Sequence, residues 1–184
     1  MLAYLKGHIL THTKDGAIVA TGATGHEVIG AWLGRKSVGD EVVVWTYEYL
    51  ENQSIPRLVG CQSAEGRALL IELLGVNGVG PKMAGRILDA GSAAQIKQAI
   101  TSGDLAFLGS VKGLGKKTAQ KIVLELGKIL VDATTTANAF LYDALGELKF
   151  TRAEIDRVLA TINITDLSES EALAKVLQAL GRRT

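Results

Sequence analysis

The sequence holds a single cysteine, Cys61, in 184 residues, so no disulfide framework braces it. It has no Cys-x-x-Cys pair and no cluster of histidines with acids. His8 and His12 would share one face of a strand, but two histidines without a third ligand do not make a metal centre. No apolar run approaches the ~20 residues that span a bilayer, and the N-terminus lacks a secretory pattern. Net charge is almost absent as well: +1 excludes a generic polycation that coats nucleic acid. Nucleotide loops are missing too. Gly115-Lys116-Lys117-Thr118 lacks the glycine that opens a phosphate-binding P-loop, and no Gly-x-Gly-x-x-Gly follows a strand. Neither a nucleophile with its base nor a carboxylate set for magnesium stands out. These absences predict a protein of a reducing cytoplasm, off the membrane, with no metal, no cofactor and no intrinsic catalysis.

What is present is one pattern used twice. Gly78-Val79-Gly80-Pro81-Lys82-Met83-Ala84 returns thirty-five residues later as Gly113-Leu114-Gly115-Lys116-Lys117-Thr118-Ala119. A Gly-x-Gly turn that opens a helix leaves backbone N–H groups without partners at the positive end of the helix dipole, and it lets a bulky anion approach. Lys82, Lys116 and Lys117 stand in first turns, where the dipole favours acids, so an anionic partner is expected. A single copy reads equally well as a capped helix-helix turn with solvated lysines. Two copies in register favour a phosphate site.

The rest of the chain divides around this repeat. Residues 1–63 carry five strand candidates, Ala3–Leu10, Ala17–Thr21, His26–Ala31, Glu41–Tyr49 and Arg57–Cys61, which suit a five-stranded barrel of the oligonucleotide-binding (OB) type. Trp45, Tyr47 and Tyr49 share a parity that fits base stacking or, more commonly, packing. Residues 64–131 read as helices forming a tandem helix-hairpin-helix domain, its last helix running from Lys116 to Leu130. Residues 132–138 read as a flexible linker, and 139–184 as a three-helix domain with capping boxes at Thr151/Glu154 and Ser168/Glu171. The predicted class is thus α+β multidomain. The barrel has five Lys/Arg and six Asp/Glu, the centre nine and five, and the remainder six and eight, so positive charge gathers at the glycine turns.

This order resembles the bacterial Holliday-junction branch-migration subunit RuvA over essentially the whole chain. Its most specific residues are Asn77-Gly78-Val79-Gly80-Pro81-Lys82 and Lys112-Gly113-Leu114-Gly115-Lys116-Lys117-Thr118-Ala119, with Val59-Gly60 and Leu124-Glu125-Leu126 in support. The resemblance implies a homotetramer or octamer that binds four-way junction DNA, holds it open and recruits the RuvB motor ATPase, with a junction resolvase as a further candidate partner. By the family pattern Gly78, Gly80, Lys82, Gly113, Gly115, Lys116 and Lys117 contact phosphates, and Lys121 lies one turn further on. The family also places two adjacent acids in the loop between the last two strands, as a pin that repels phosphates at the crossover. Here Glu51 fits the first acid and Asn52 stands where the second is expected. Leu173, Val176, Leu177 and Leu180, at helical spacing in the tail, are the candidates for docking the motor. The rival classes are a junction nuclease, since helix-hairpin-helix pairs also occur in DNA-processing enzymes, and a structural module that binds no DNA.

Overall fold

A computed structural model describes residues 1–159, 161–162 and 167–181, and for 131–139, 152, 156 and 169 the backbone alone. Strand β1 (Tyr4–His12) alternates strictly over its first half, sending Leu5, Gly7 and Ile9 inward. It joins β2 (Gly16–Thr21), β3 (Thr24–Ile29), β4 (Glu41–Glu51) and β5 (Ile55–Cys61) in a closed barrel of order β1-β2-β3-β5-β4. The closing pair, β3 with β5, is parallel, and the other pairs are antiparallel. Closure needs close approach at Gly60, where a Cβ would lie 2.6 and 2.8 Å from methyls of Val28 and Val44. The five strands lie where the sequence places them, to within a few residues. Trp45, Tyr47 and Tyr49 are half-buried, and the Trp45 ring meets Tyr4 edge-on at 5.3 Å, so this row packs on the barrel wall.

One element was not foreseen. Sequence reading carries β3 to Ala31, whereas the chain winds into a 3₁₀ helix over Ala31–Arg35 that buries Trp32 and Leu33 in the barrel core. Its cause lies 57 and 58 residues away. The Asp89 carboxylate accepts from the amides of Ala31 at 3.0 Å and Trp32 at 3.3 Å, capping the turn, and the Trp32 indole donates to the Gly60 carbonyl at 3.0 Å. Burial outweighs those two amides and pushes the Asp89 carboxyl above its ordinary value.

Five helical elements complete the chain up to residue 147: α1 (Ala64–Leu74), α2 (Pro81–Asp89), α3 (Ala93–Ser102), α4 (Leu105–Gly109) and α5 (Lys116–Glu147). Polar caps set three of their starts. Ser63 accepts from Gly66, Ser92 and Gln95 form a capping box, and Asp104 accepts from Ala106 and Phe107. Helix α5 does not end at Leu130. The stretch 132–138, expected as a linker, has helical backbone, and it contains neither the glycine nor the proline that would break a helix.

Compact units divide between Gly127 and Lys128. In the second unit, α6 (Arg152–Leu159) and α7 (Glu169–Gly181) pack with the end of α5 around Leu141, Leu145, Ile155, Val158, Ala172 and Val176. The Ser168/Glu171 box forms in both halves, and at Thr151 the half in which Glu154 reaches back is present. The amides of Thr151 and Ser168 donate to the Glu154 and Glu171 carboxylates at 2.8 and 2.9 Å. No helix among the described residues is long and apolar enough to cross a membrane.

Cys61 lies in the seam between β5 and α1, 2 % exposed, and desolvation pushes its thiol up to about 12. Iodoacetamide at pH 8 should therefore leave the native protein unmodified and alkylate it fully in denaturant. Rapid labelling of the native protein would show that the seam opens.

Candidate nucleic-acid interface

The two glycine turns are the same structure. In the first, the Val76 amide donates to Leu73, Val79 to Val76 and Ala84 to Gly80, at 3.1, 3.0 and 2.9 Å. Thirty-five residues on, Val111 donates to Leu108, Leu114 to Val111 and Ala119 to Gly115, at 3.2, 3.0 and 3.0 Å. Both put a glycine at positive φ where the chain reverses, Gly78 at 96° and Gly113 at 87°, a conformation that L side chains rarely adopt. Val76, Val79 and Ala84 are buried, as are Val111, Leu114 and Ala119. The apolar residue between each pair of glycines anchors the turn while the glycines stay exposed.

The copies also pack on each other reciprocally. A Cβ on Gly78 would lie 3.9 Å from Thr118, in the first turn of α5, and one on Gly113 would lie 3.5 Å from Met83, in the first turn of α2. Met83 and Thr118 are themselves equivalent positions of the repeat. Such an exchange of equivalent contacts is the mark of a local two-fold axis relating the hairpins.

Each helix then begins without a side-chain cap. Gly80 is the extended N-cap of α2, with φ −94° and ψ 172°, and makes no capping bond; Gly115, before α5, has no side chain to cap with. A Cβ at either position would meet nothing within 4 Å, so both turns present open backbone. Lys82, Lys116, Lys117 and Lys121 are exposed around them. The sequence reading missed Arg86, which occupies in α2 the place that Lys121 holds in α5. Its guanidinium lies 3.2 Å from the Cβ position of Gly113. The repeat period itself points to it.

The cations differ in their partners. Among the described residues Lys116, Lys117, Lys121 and Arg86 form no ion pair. Lys82 does. Its ammonium donates to Glu51 Oε1, while Arg57 Nε donates to Glu51 Oε2 at 3.0 Å and Arg57 Nη1 to Glu27 at 2.9 Å. Lys82 first, and then Arg57, hold the Glu51 carboxyl below the usual carboxylate range, and Glu51 raises Lys82 in return. The pair is therefore charged throughout the interval between the ordinary values of 4.5 and 10.5. The Tyr49 hydroxyl, buried without a partner, lies among the same charges.

Glu51 is the last paired residue of β4, opposite Ile55. Asn52 and Gln53 form the turn beyond it, with φ 52° and 61°, closed by the Ser54 amide donating to Glu51 at 3.2 Å. The acid is thus placed by a rigid hairpin and Asn52 stands exposed at its tip. Glu48 adds no second acid to that tip, because its carboxylate accepts from the Leu2 amide at 2.9 Å. In the tail, Val176 is fully buried and is the core member of the four apolar residues singled out there; Leu173, Leu177 and Leu180 are partly buried and keep an accessible edge.

A closed five-stranded barrel followed by twin glycine hairpins defines a barrel-bearing tandem helix-hairpin-helix protein, and residues 70–128 match the family model described as SAM-like helix-hairpin-helix tandem. Three proteins named Holliday junction branch migration complex subunit RuvA align with 98 % of the chain. They come from Bdellovibrio bacteriovorus (30 % identical, 97 % of that protein covered), Bacillus cereus (31 %, 89 %) and Moorella thermoacetica (33 %, 95 %). The chain belongs to the RuvA family of Holliday junction branch migration complex subunits.

The β4–β5 turn generates a prediction. Asn52 suits a positive φ, but Gln53 beside it carries strain of about 1 kcal/mol there. Gln53→Gly should raise the stability of the intact protein by about 1 kcal/mol in urea titration. A decrease would mean that the Gln53 side chain has a role in the tip.

Proposed function

We propose that this chain is the structure-specific DNA-binding subunit of a branch-migration complex, which recognises four-way junctions, holds them open and recruits the RuvB motor ATPase in recombination and repair. The observation that carries the reading is the reciprocal pair of uncapped, lysine-flanked helix starts. Two such starts related by a local two-fold suit two phosphate backbones related by the dyad of a duplex. Backbone amides and lysines grip phosphate and read no bases, so selectivity falls on the shape of the joint.

The roles follow from this. Gly78, Gly80, Gly113 and Gly115 supply close approach and free amides, Lys82, Lys116 and Lys117 supply charge, and Lys121 with Arg86 extends each grip by one helical turn. Residues 1–63 build the barrel that presents Glu51 and Asn52 as the pin, 64–131 grip DNA, 132–138 connect, and 139–184 bind the motor through the accessible edge of Leu173, Leu177 and Leu180. The assembly is a homotetramer of bacterial cytoplasm, with the hydrolysis of ATP left to the partner.

A gel-shift titration against a four-way junction and a duplex of equal length, over several salt concentrations, tests this reading. Strong preference for the junction is expected. Equal affinity would reduce the chain to a general helix-hairpin-helix binder, and cleavage of labelled junction in magnesium would make it a nuclease. Lys116→Ala and Lys117→Ala should each lower the salt slope by roughly one.

Gly80→Ser separates a grip from a plain turn. Serine is favoured at an N-cap and Gly80 has room for it, so thermal stability should hold or rise. The new hydroxyl would occupy helix amides meant for phosphate, and junction affinity should fall. Unchanged affinity would assign the turn to structure alone.

A further inference from the structure

The local two-fold relating the hairpins is broken at one pair of equivalent residues. Lys82 and Lys117 hold the same place in the repeat, yet Lys82 is bonded to Glu51 of the barrel and Lys117 has no anionic partner among the described residues. Glu51 is not there by accident of a mobile side chain. It is 24 % exposed, stands on the last rung of β4 and has its second oxygen held by Arg57, which Glu27 fixes in turn. A carboxylate so placed neutralises one grip and leaves the other bare.

We propose that Glu51 is a built-in counter-ion of the first hairpin, which competes with DNA phosphate for Lys82 and makes the two otherwise equivalent grips unequal. The inference rests on the reading of the hairpins as phosphate grips. In the free protein the second hairpin, with Lys117 open, offers the stronger first contact. A phosphate reaching the first hairpin has to displace Glu51 from Lys82. The displaced carboxylate keeps its bond to Arg57 and stays beside the incoming strand. Glu51 thus acts on plain duplex as well as on junctions, because the lysine it masks serves both. An acid acting only by repulsion at the crossover would act on junctions alone.

Two measurements test this on the intact protein. The first is a double-mutant cycle read as dissociation constants for junction and duplex. An exposed ion pair of this kind supports an effect of roughly two- to fivefold. Glu51→Gln should tighten both DNAs by that factor in the wild-type and Lys117→Ala backgrounds, and by clearly less in the Lys82→Ala background, where only the repulsion by the carboxylate is removed. Lys82→Ala should lower the salt slope by less than Lys117→Ala does, since a lysine already paired releases fewer counter-ions. In the Glu51→Gln background the two slopes should become equal.

The second measurement needs no DNA. Brief acetylation of the free protein should modify Lys82 more slowly than Lys117, and Glu51→Gln should remove the difference, with melting curves confirming that each variant is folded. A wild-type protein that binds no DNA would overturn the hairpin reading and the competition with it. One that binds DNA, but shows equal reactivity of the two lysines or the same Glu51→Gln effect with and without Lys82, would overturn the competition alone.

Discussion

The central region is built around leaving the first amides of two helices without a protein partner. A glycine at a helix start costs some stability, about a few tenths of a kcal/mol against a serine or aspartate cap. The same chain uses such caps freely elsewhere: Ser63, Ser92 and Asp104 all accept from first-turn amides. Glycine stands at the cap of α2 and α5 alone among the helices from α1 to α5. The cost is met by burying an apolar residue inside each turn, Val79 and Leu114, and a small one under each helix, Ala84 and Ala119, so that open backbone is carried on a closed interior.

That interior is tied to the barrel through the other end of α2. Asp89 caps the 3₁₀ helix that completes the barrel core, and in the middle of α2 a Cβ on Gly85 would come within 2.9 Å of Val59. On α1, Arg67 donates to the Thr46 carbonyl at 2.7 Å. With Lys82 on Glu51, this makes four separate links between barrel strands or the barrel's 3₁₀ helix and the first hairpin. The second hairpin is joined to the first at the Gly78 and Gly113 positions and through α3, which packs on α1 and α2. The barrel thus orients one hairpin directly, and the local two-fold transmits that orientation to the other.

Features whose causes are local were legible in the sequence. Strand alternation, the capping boxes and the glycine repeat each depend on residues within one or two turns of each other, and each appears where pattern alone puts it. Arg86 was equally within reach, since Lys121 less one period gives its number, but a reading that followed only the glycines passed over it. Features whose causes are remote were not legible. The 3₁₀ helix depends on Asp89, almost sixty residues on, and no pattern near Ala31 announces it. Val176 shares its spacing with Leu173, Leu177 and Leu180, and periodicity cannot say which of four apolar residues on one helix faces inward. The extension of α5 through 132–138 shows a milder limit: small polar residues suggest a linker, yet none of them forbids a helix.

The Glu51–Lys82 contact is the case where remote placement changes the chemistry. Taken separately in the sequence, Lys82 is a phosphate ligand and Glu51 a phosphate repellent, and their effects would simply add. Once they touch, each is the other's first partner, and under the proposed reading neither acts on DNA until the pair is broken. A pair with both groups partly exposed is weak enough for a phosphodiester to replace, and the rigid β4–β5 turn keeps the acid in place after replacement. The single acid at this tip gains from the arrangement. In the proposed mechanism one carboxylate first masks a grip and then, once displaced, stands as a fixed negative charge beside the strand it admitted, so a tip with Asn52 in place of a second acid would still have two successive effects on the DNA backbone.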